Sequence, residues 1–161
     1  MKKLFFVLFL GVLPLMMKGQ STPHALGFHV GGSTIDLEYQ YHYNKKNFLD
    51  LNLGVFDLSH GFYGSGIYNW NLVRWSDWTP ELGVWKLYAG VGGAFGYTTY
   101  RDYDGVFAGV VGTIGFGVTL KPAPLTFAVD YRPMIALALG NHSGILTPGF
   151  WNIGLSMTYR F

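Results

Sequence analysis

The final twelve residues, FWNIGLSMTYRF (Phe150 to Phe161), set Trp151, Ile153, Leu155, Met157, Tyr159 and Phe161 on every second position, with Asn152, Gly154, Ser156, Thr158 and Arg160 between them. Successive side chains of a strand point to opposite faces, so this segment has one bulky apolar face and one small or polar face. The same period recurs along the chain. Leu37, Tyr39, Tyr41 and Tyr43 alternate with Asp36, Glu38, Gln40, His42 and Asn44. Leu49, Leu51, Leu53 and Val55 alternate with Asp50, Asn52 and Gly54. Leu125, Phe127, Val129, Tyr131, Ile135 and Leu137 alternate with Thr126, Ala128, Asp130, Arg132, Met134 and Ala136. In VWKLYAGVGGAFGYT and FAGVVGTIGFGVTLK glycine becomes the small partner, as it does in ALGFHVGG. With GFYGSGIYNWNLVRW and the terminal segment, this predicts about eight strands.

The class depends on which face points inward. Water-facing strands have no use for the many glycines on the polar side, among 23 in the chain. The lumen of a small closed barrel does, because eight strands leave only enough room for side chains to fill. Eight rows of Leu, Val, Phe, Tyr and Trp would be insoluble in water but are the required surface in lipid, where closure satisfies every backbone group. The composition agrees: half the residues are hydrophobic and 12% are charged, against about 25% charged in ordinary soluble domains. The expected fold class is therefore all-β, an eight-stranded antiparallel up-and-down transmembrane β-barrel with a filled polar lumen. Its greasy face points outward.

The opening MKKLFFVLFLGVLPLMMKGQ has two lysines, a short apolar run and a small residue near the exit, the pattern of a removable signal peptide. The run is shorter than the ~20 residues a spanning helix needs, and Pro14 interrupts it. Cleavage is expected after Gly19, with residues 1–19 removed and 20–161 forming the barrel domain. Loss of Lys2, Lys3 and Lys18 leaves eight basic against nine acidic side chains, a net charge of −1 instead of +2. No basic patch then remains to suggest nucleic acid. The lack of cysteine excludes disulfides, thiolate metal sites and a cysteine-linked lipid anchor.

With entry from the periplasm, NKKN, SDWTPELG and KPAP become the inner turns, and GGST, DLSHGFYG, YRDYDG and LGNHSGILTPG the outer connections. Trp70, Trp75, Trp78, Trp85, Tyr100, Tyr103, Trp151, Tyr159 and Phe161 gather near strand ends, as aromatic girdles do. Strand parity turns Glu38, Asp50, Lys86, Asp130, Arg132 and Arg160 into the barrel, three acids against three bases. Buried charges persist when paired and hydrogen-bonded, so these residues read as an ionic plug rather than an open pathway. His29 and His42 fall on the same face, while Asp102 and Asp104 belong to a solvated loop. No cofactor is expected, since GVGGAFG is lumen glycine in a strand with no helix after it.

The terminal MTYRF, with Phe161 last and Tyr159 two before it, resembles the closing strand of bacterial outer-membrane barrels. In those proteins this end is read by the barrel-assembly machinery. ALGFHVGG, IDLEYQYHYNKKNFLDLNLGVF, LYAGVGGAFGY, PLTFAVDYRP and NIGLSMTYRF, in that order, resemble a family of small, single-domain outer-membrane β-barrel proteins of largely unassigned function. The resemblance implies an eight-stranded barrel with a bacterial outer-membrane address and no catalytic residues to carry over; the chain is in turn expected to be a monomer by default, with outer-membrane lipid and lipopolysaccharide around it. Phe62, Tyr63, Tyr100 and Tyr103 are then expected to be exposed on the outer loops, available to a partner.

Two alternatives stand beside this reading. GNHSGILTPG is similar to the active-site stretch of lipid A 3-O-deacylases, which are also eight-stranded barrels. Those enzymes separate the His and Ser by one residue and orient the His with a downstream acid. Here His142 and Ser143 are adjacent, so alternation points them apart, and no Asp or Glu follows Asp130. A soluble exported ligand-binding barrel is the other alternative, opposed by the glycine-rich polar face and the terminal aromatic.

Overall fold

The computed structural model describes residues 22–56, 61–99, 104–140, 144–146 and 148–161. The expected signal segment, Tyr100, Tyr103, His142 and Ser143 lie outside the described residues. Ten segments follow one another: β1 (His24–Gly31), β2 (Thr34–His42), β3 (Asn47–Phe56), β4 (Gly61–Trp75), β5 (Gly83–Thr98), β6 (Gly105–Leu120), β7 (Leu125–Tyr131), β8 (Met134–Gly140), β9 (Gly144–Leu146) and β10 (Ile153–Arg160). All pair antiparallel in the order β5-β4-β3-β2-β1-β10-β7-β6-β8-β9, and β5 pairs with β6 to close the sheet.

Two breaks divide what are mechanically single staves. β6 pairs with β7 and then β8 in unbroken register, Ile114 opposite Tyr131 and Val111 opposite Met134. The split falls at Arg132 and Pro133, where proline lacks an N–H but its carbonyl still accepts from Gly112 N at 2.9 Å. On the next stave β9 pairs with β8 and β10 with β7. From Leu146 to Ile153 the chain advances seven positions, while their partners Ala136 and Tyr131 are five apart. The 3-10 turn Pro148–Trp151 takes up the difference. The result is a closed eight-stave barrel.

The staves are tilted, as closure of a sheet demands. A path across paired residues from Gly27 runs through Glu38, Asn52, Ser65, Ala94, Gly109 and Ala136 to Leu146. It arrives beyond the stretch of β10 that pairs with β1 instead of returning to its start. Near-end connections join β2 to β3, β4 to β5 and β6 to β7, and His24 and Phe161 lie at this end, joined by a Phe161 N to His24 O bond of 3.0 Å. The β2–β3 turn is held by Asn44, whose Oδ1 accepts from Lys46 N and Asn47 N at 2.7 and 2.9 Å.

Orientation is unambiguous. Leu51, Val129 and Leu155 are 43%, 52% and 64% exposed, whereas Asp130 and Arg132 are 2% and 4% exposed. The interior differs from expectation in being layered. An ionic layer lies between an apolar cluster toward the far end, which includes Tyr63, Ile67, Phe107, Val111, Met134 and Leu146, and a smaller one of Phe48, Tyr88 and Ala128. A barrel this narrow is filled by side chains, and glycine makes the room. A Cβ on Gly115 would collide with the Tyr88 ring, and one on Gly96 would crowd Tyr63 and Phe107.

Two expectations about outer loops are corrected. Tyr63 is buried: β4 already begins at Gly61, so Tyr63 occupies an inward strand position and donates its hydroxyl to Asp36 Oδ1 at 2.7 Å. Phe62, its neighbour, points outward from the same strand. Within LGNHSGILTPG, Gly144–Leu146 pairs with β8 and Pro148–Trp151 forms the 3-10 turn, so much of that connection is regular structure.

Candidate functional site: the ionic layer of the lumen

Alternation on four staves delivers the layer. Asp36 and Glu38 come from β2, Asp50 and Asn52 from β3, Ser156 from β10, and Asp130 from β7. Arg132 sits at the break between β7 and β8, anchored by Arg132 N donating to Asn152 O at 2.8 Å. Its guanidinium reaches across the barrel. Nε donates to Asp130 Oδ1 at 2.8 Å, Nη1 to Asn52 Oδ1 at 3.0 Å, and Nη2 to Asp130 Oδ2, Ser156 Oγ and Glu38 Oε2 at 3.1, 3.1 and 3.3 Å. Asp50 Oδ2 lies 3.5 Å from Nη2. One planar fork thus ties four staves of the barrel together, a task suited to its fixed array of donors.

A second branch runs through His29 on β1. Its Nδ1 is 3.0 Å from Asp36 Oδ2. Its Nε2 is 3.2 Å from Asp130 Oδ1, close enough for an ion pair though outside hydrogen-bond geometry. Asp36 also accepts from Thr34 Oγ1 at 3.1 Å, and Asp130 from Tyr88 and Ser156 hydroxyls at 3.0 Å each. Gln40 donates to Glu38 and is followed by His42, Nε2 to Gln40 Oε1 at 3.1 Å. Asn152 Nδ2 donates to Thr34 Oγ1 at 3.1 Å and its Oδ1 accepts from Ser33 N at 3.2 Å, closing the β1–β2 turn over the layer.

Of the six charged residues named from parity, Glu38, Asp50, Asp130 and Arg132 meet in this layer. Lys86 is buried one step toward the near end, its Nζ 4.9 Å from the Phe48 ring centroid and 5.3 Å from that of Tyr88. Arg160 stands apart, half-buried at the near mouth. The charge balance drawn from the sequence leaves out Asp36, a fourth acid, and His29 between two carboxylates. Both lie on the polar side of their strands, so parity was the available signal. Tyr88, two residues after Lys86, carried the same signal, whereas the Tyr63 hydroxyl had none, since Tyr63 reads as part of an outer loop. Tyr159 is half-buried opposite Leu26 and Leu125, and Phe161 stacks on His24 at 6.1 Å. Among the described residues no group of three or more His, Asp or Glu is arranged to hold a metal ion.

Fold and lumen together define a class: a closed eight-stave antiparallel β-barrel, apolar outside, with an interior plugged by ion pairs. Consistent with that, the chain is similar in fold to the N-terminal β-barrel domain of Pseudomonas aeruginosa OprF, known from its crystal structure. The superposition has a TM-score of 0.54 at 17% identity and covers 88% of this chain and all of that one. No family model matches the sequence, and no curated protein does.

Proposed function

We propose that this chain is an integral bacterial outer-membrane β-barrel protein whose role is structural or interactive, not that of an open pore. The observation that carries the reading is the orientation of the wall, with bulky apolar residues outside on all staves and the charges inside. Exposed apolar area of that extent marks a surface that is covered in use, and here it surrounds the whole cylinder. An external groove of about 470 Å³ lined by Phe28, Trp85, Phe116, Phe127, Leu155 and Met157 has the chemistry to receive an acyl chain. Trp75, Trp78, Trp85 and Phe116 cluster beside the β4–β5 turn, and Tyr131, Phe150 and Trp151 at the level where β10 begins, two bands fitting the two membrane interfaces. The likeness to the OprF barrel supports the same address. The near end then faces the periplasm, and Tyr159 and Phe161 serve as the signal read by the assembly machinery.

The test is reconstitution. The mature chain is expected to require detergent or lipid to stay in solution, to act as a monomer, and to show no stable open state in planar bilayers. Aqueous solubility without detergent would refute the membrane reading, and a large steady conductance would refute the plug. A non-enzymatic role predicts unchanged lipid A acylation in cells lacking the protein; altered acylation would transfer the argument to His142 and Ser143.

A further inference from the structure

At the near end the lumen opens into a cavity of about 170 Å³ whose wall carries Lys86, Arg74, Arg160, Lys121 and His42 and no carboxylate. Three of these arrive by ordinary alternation, each at an inward position of its stave: His42 after Gln40, Lys86 before Tyr88 and Arg160 after Thr158, while Lys121 is exposed in the turn just past the end of β6. Arg74 arrives differently. Along most of β4 the odd-numbered residues Tyr63, Ser65, Ile67 and Asn69 face inward, which would send Arg74 outward. A register shift between Asn71 and Val73 reverses the parity, and Arg74 ends directly opposite Lys86. Bulges re-aim side chains in this way at barrel rims and beside sites.

The pairing is costly by itself, because like charges directly opposite each other destabilise a sheet. Glu38 and Asp50 in the ionic layer attract Lys86 without touching it and offset only part of the repulsion from Arg74 and Arg160. Lys86 is 3% exposed and, among the described residues, has ring faces but no hydrogen-bond acceptor or carboxylate partner. Deeper in the lumen Glu38, Asp50 and Asp130 pair with Arg132 and not with Lys86, and Asp50 Oδ1 has no hydrogen-bond partner. The Arg160 guanidinium likewise has no hydrogen bond or ion pair among the described residues, and Arg74 Nη1 makes one long bond, 3.4 Å to Lys45 O. Lys121 Nζ is committed to Pro80 O at 2.6 Å. Unspent donors on a buried cation call for an acceptor. The Asn71 Oδ1 on the same wall has the opposite need, an acceptor without a donor.

We infer that this mouth is a binding site for a phosphate-class oxyanion, clamped by Arg74, Lys86 and Arg160 with Lys121 and His42 around it. The cavity is equivalent to about six waters at ~30 Å³ each, room for a tetrahedral oxyanion and part of its hydration. Guanidinium and ammonium groups supply charge-assisted donors to its oxygens, and a hydrogen phosphate supplies the proton that Asn71 Oδ1 lacks. The same chemistry serves free phosphate or the phosphomonoester headgroup of a lipid.

The experiment is titration of the full chain, folded in zwitterionic detergent, with inorganic phosphate at low constant ionic strength. One saturable site is expected. Arg74→Gln and Lys86→Gln each weaken it about tenfold or more, the loss of one charge-assisted contact. Lys46→Gln, which removes an exposed lysine at the same end outside the cavity, leaves it unchanged. Arg74 is exposed, so its variant retains the fold even if Lys86→Gln does not, and heat-dependent gel mobility checks both. Repeating the titration in phosphatidylcholine bilayers with and without phosphatidic acid separates the sources. Competition by phosphatidic acid assigns a lipid headgroup, and its absence a free anion. Absence of saturable phosphate binding, binding undiminished in Arg74→Gln, or equal loss in Lys46→Gln would overturn the site.

Discussion

Arg132→Met is the most informative single change in this barrel. The substitution keeps an unbranched apolar stem in the lumen but removes every donor that Arg132 presents to Asp130, Asn52, Glu38 and Ser156. Three carboxylates then remain buried without their shared cation. Adding charge-assisted hydrogen bonds at ~1.5–3 kcal/mol apiece would overshoot, since bonds to one guanidinium are not independent. The better measure is the cost of breaking a buried pair by deleting one partner, about 3–5 kcal/mol. Most of that cost comes from the stranded acids. A triple variant that also carries Glu38→Gln and Asp130→Asn is therefore expected to recover at least half of the loss. Arg132→Lys should fall between wild type and Arg132→Met, because an ammonium restores charge but not the planar fork. Reversible urea unfolding in phosphatidylcholine vesicles, followed by tryptophan fluorescence, measures all four proteins. A loss below about 1 kcal/mol for Arg132→Met, or a triple variant no better than the single one, would refute the claim that this guanidinium organises the lumen.

Other consequences are equally direct. Leu53→Arg, on the outward face of β3, is expected to cost about 2–4 kcal/mol in bilayers, where the same change on a water-facing strand costs about 0.5 kcal/mol or less; unfolding in vesicles distinguishes the two. Gly92→Ala drives a methyl group into the backbone carbonyl of Gly66, whereas at Gly93 the nearest atom is 3.7 Å away, so the first substitution should reduce folded yield and the second should not. Heat-dependent mobility on gels scores that pair. Tyr63→Phe deletes the donor to Asp36 and should lower stability by about 1–2 kcal/mol, with no change in the surface accessible to chemical labels.

The elements differ in how much of them could be read beforehand. Parity alone placed Glu38, Asp50, Asp130 and Arg132 in the lumen, because a strand's side-chain period is fixed and β2, β3 and β7 run without interruption. It misplaced Tyr63 because the start of β4 lies inside a stretch that reads as loop, and a tyrosine is at home on either face. It was silent about Arg74, since a register shift of one residue reverses every assignment beyond it and leaves no mark in the sequence. The continuation past Pro133 was legible, since the alternation runs on from Tyr131 and Arg132 to Ile135 and Ala136, but the return through β9 was not: glycine and proline in that connection signal a break, and only the partner strand shows the pairing.

By itself, the sequence determined the closed sheet and which of its faces is greasy, because alternation is a local property of extended backbone and needs no partner. The tertiary structure decided which inward residues meet. Stagger between staves sets the heights at which side chains from distant segments coincide, so that Arg132 faces Glu38 and Asn52 while Lys86 faces Arg74. Those heights are sums of registers around the whole cylinder, and no single segment carries them.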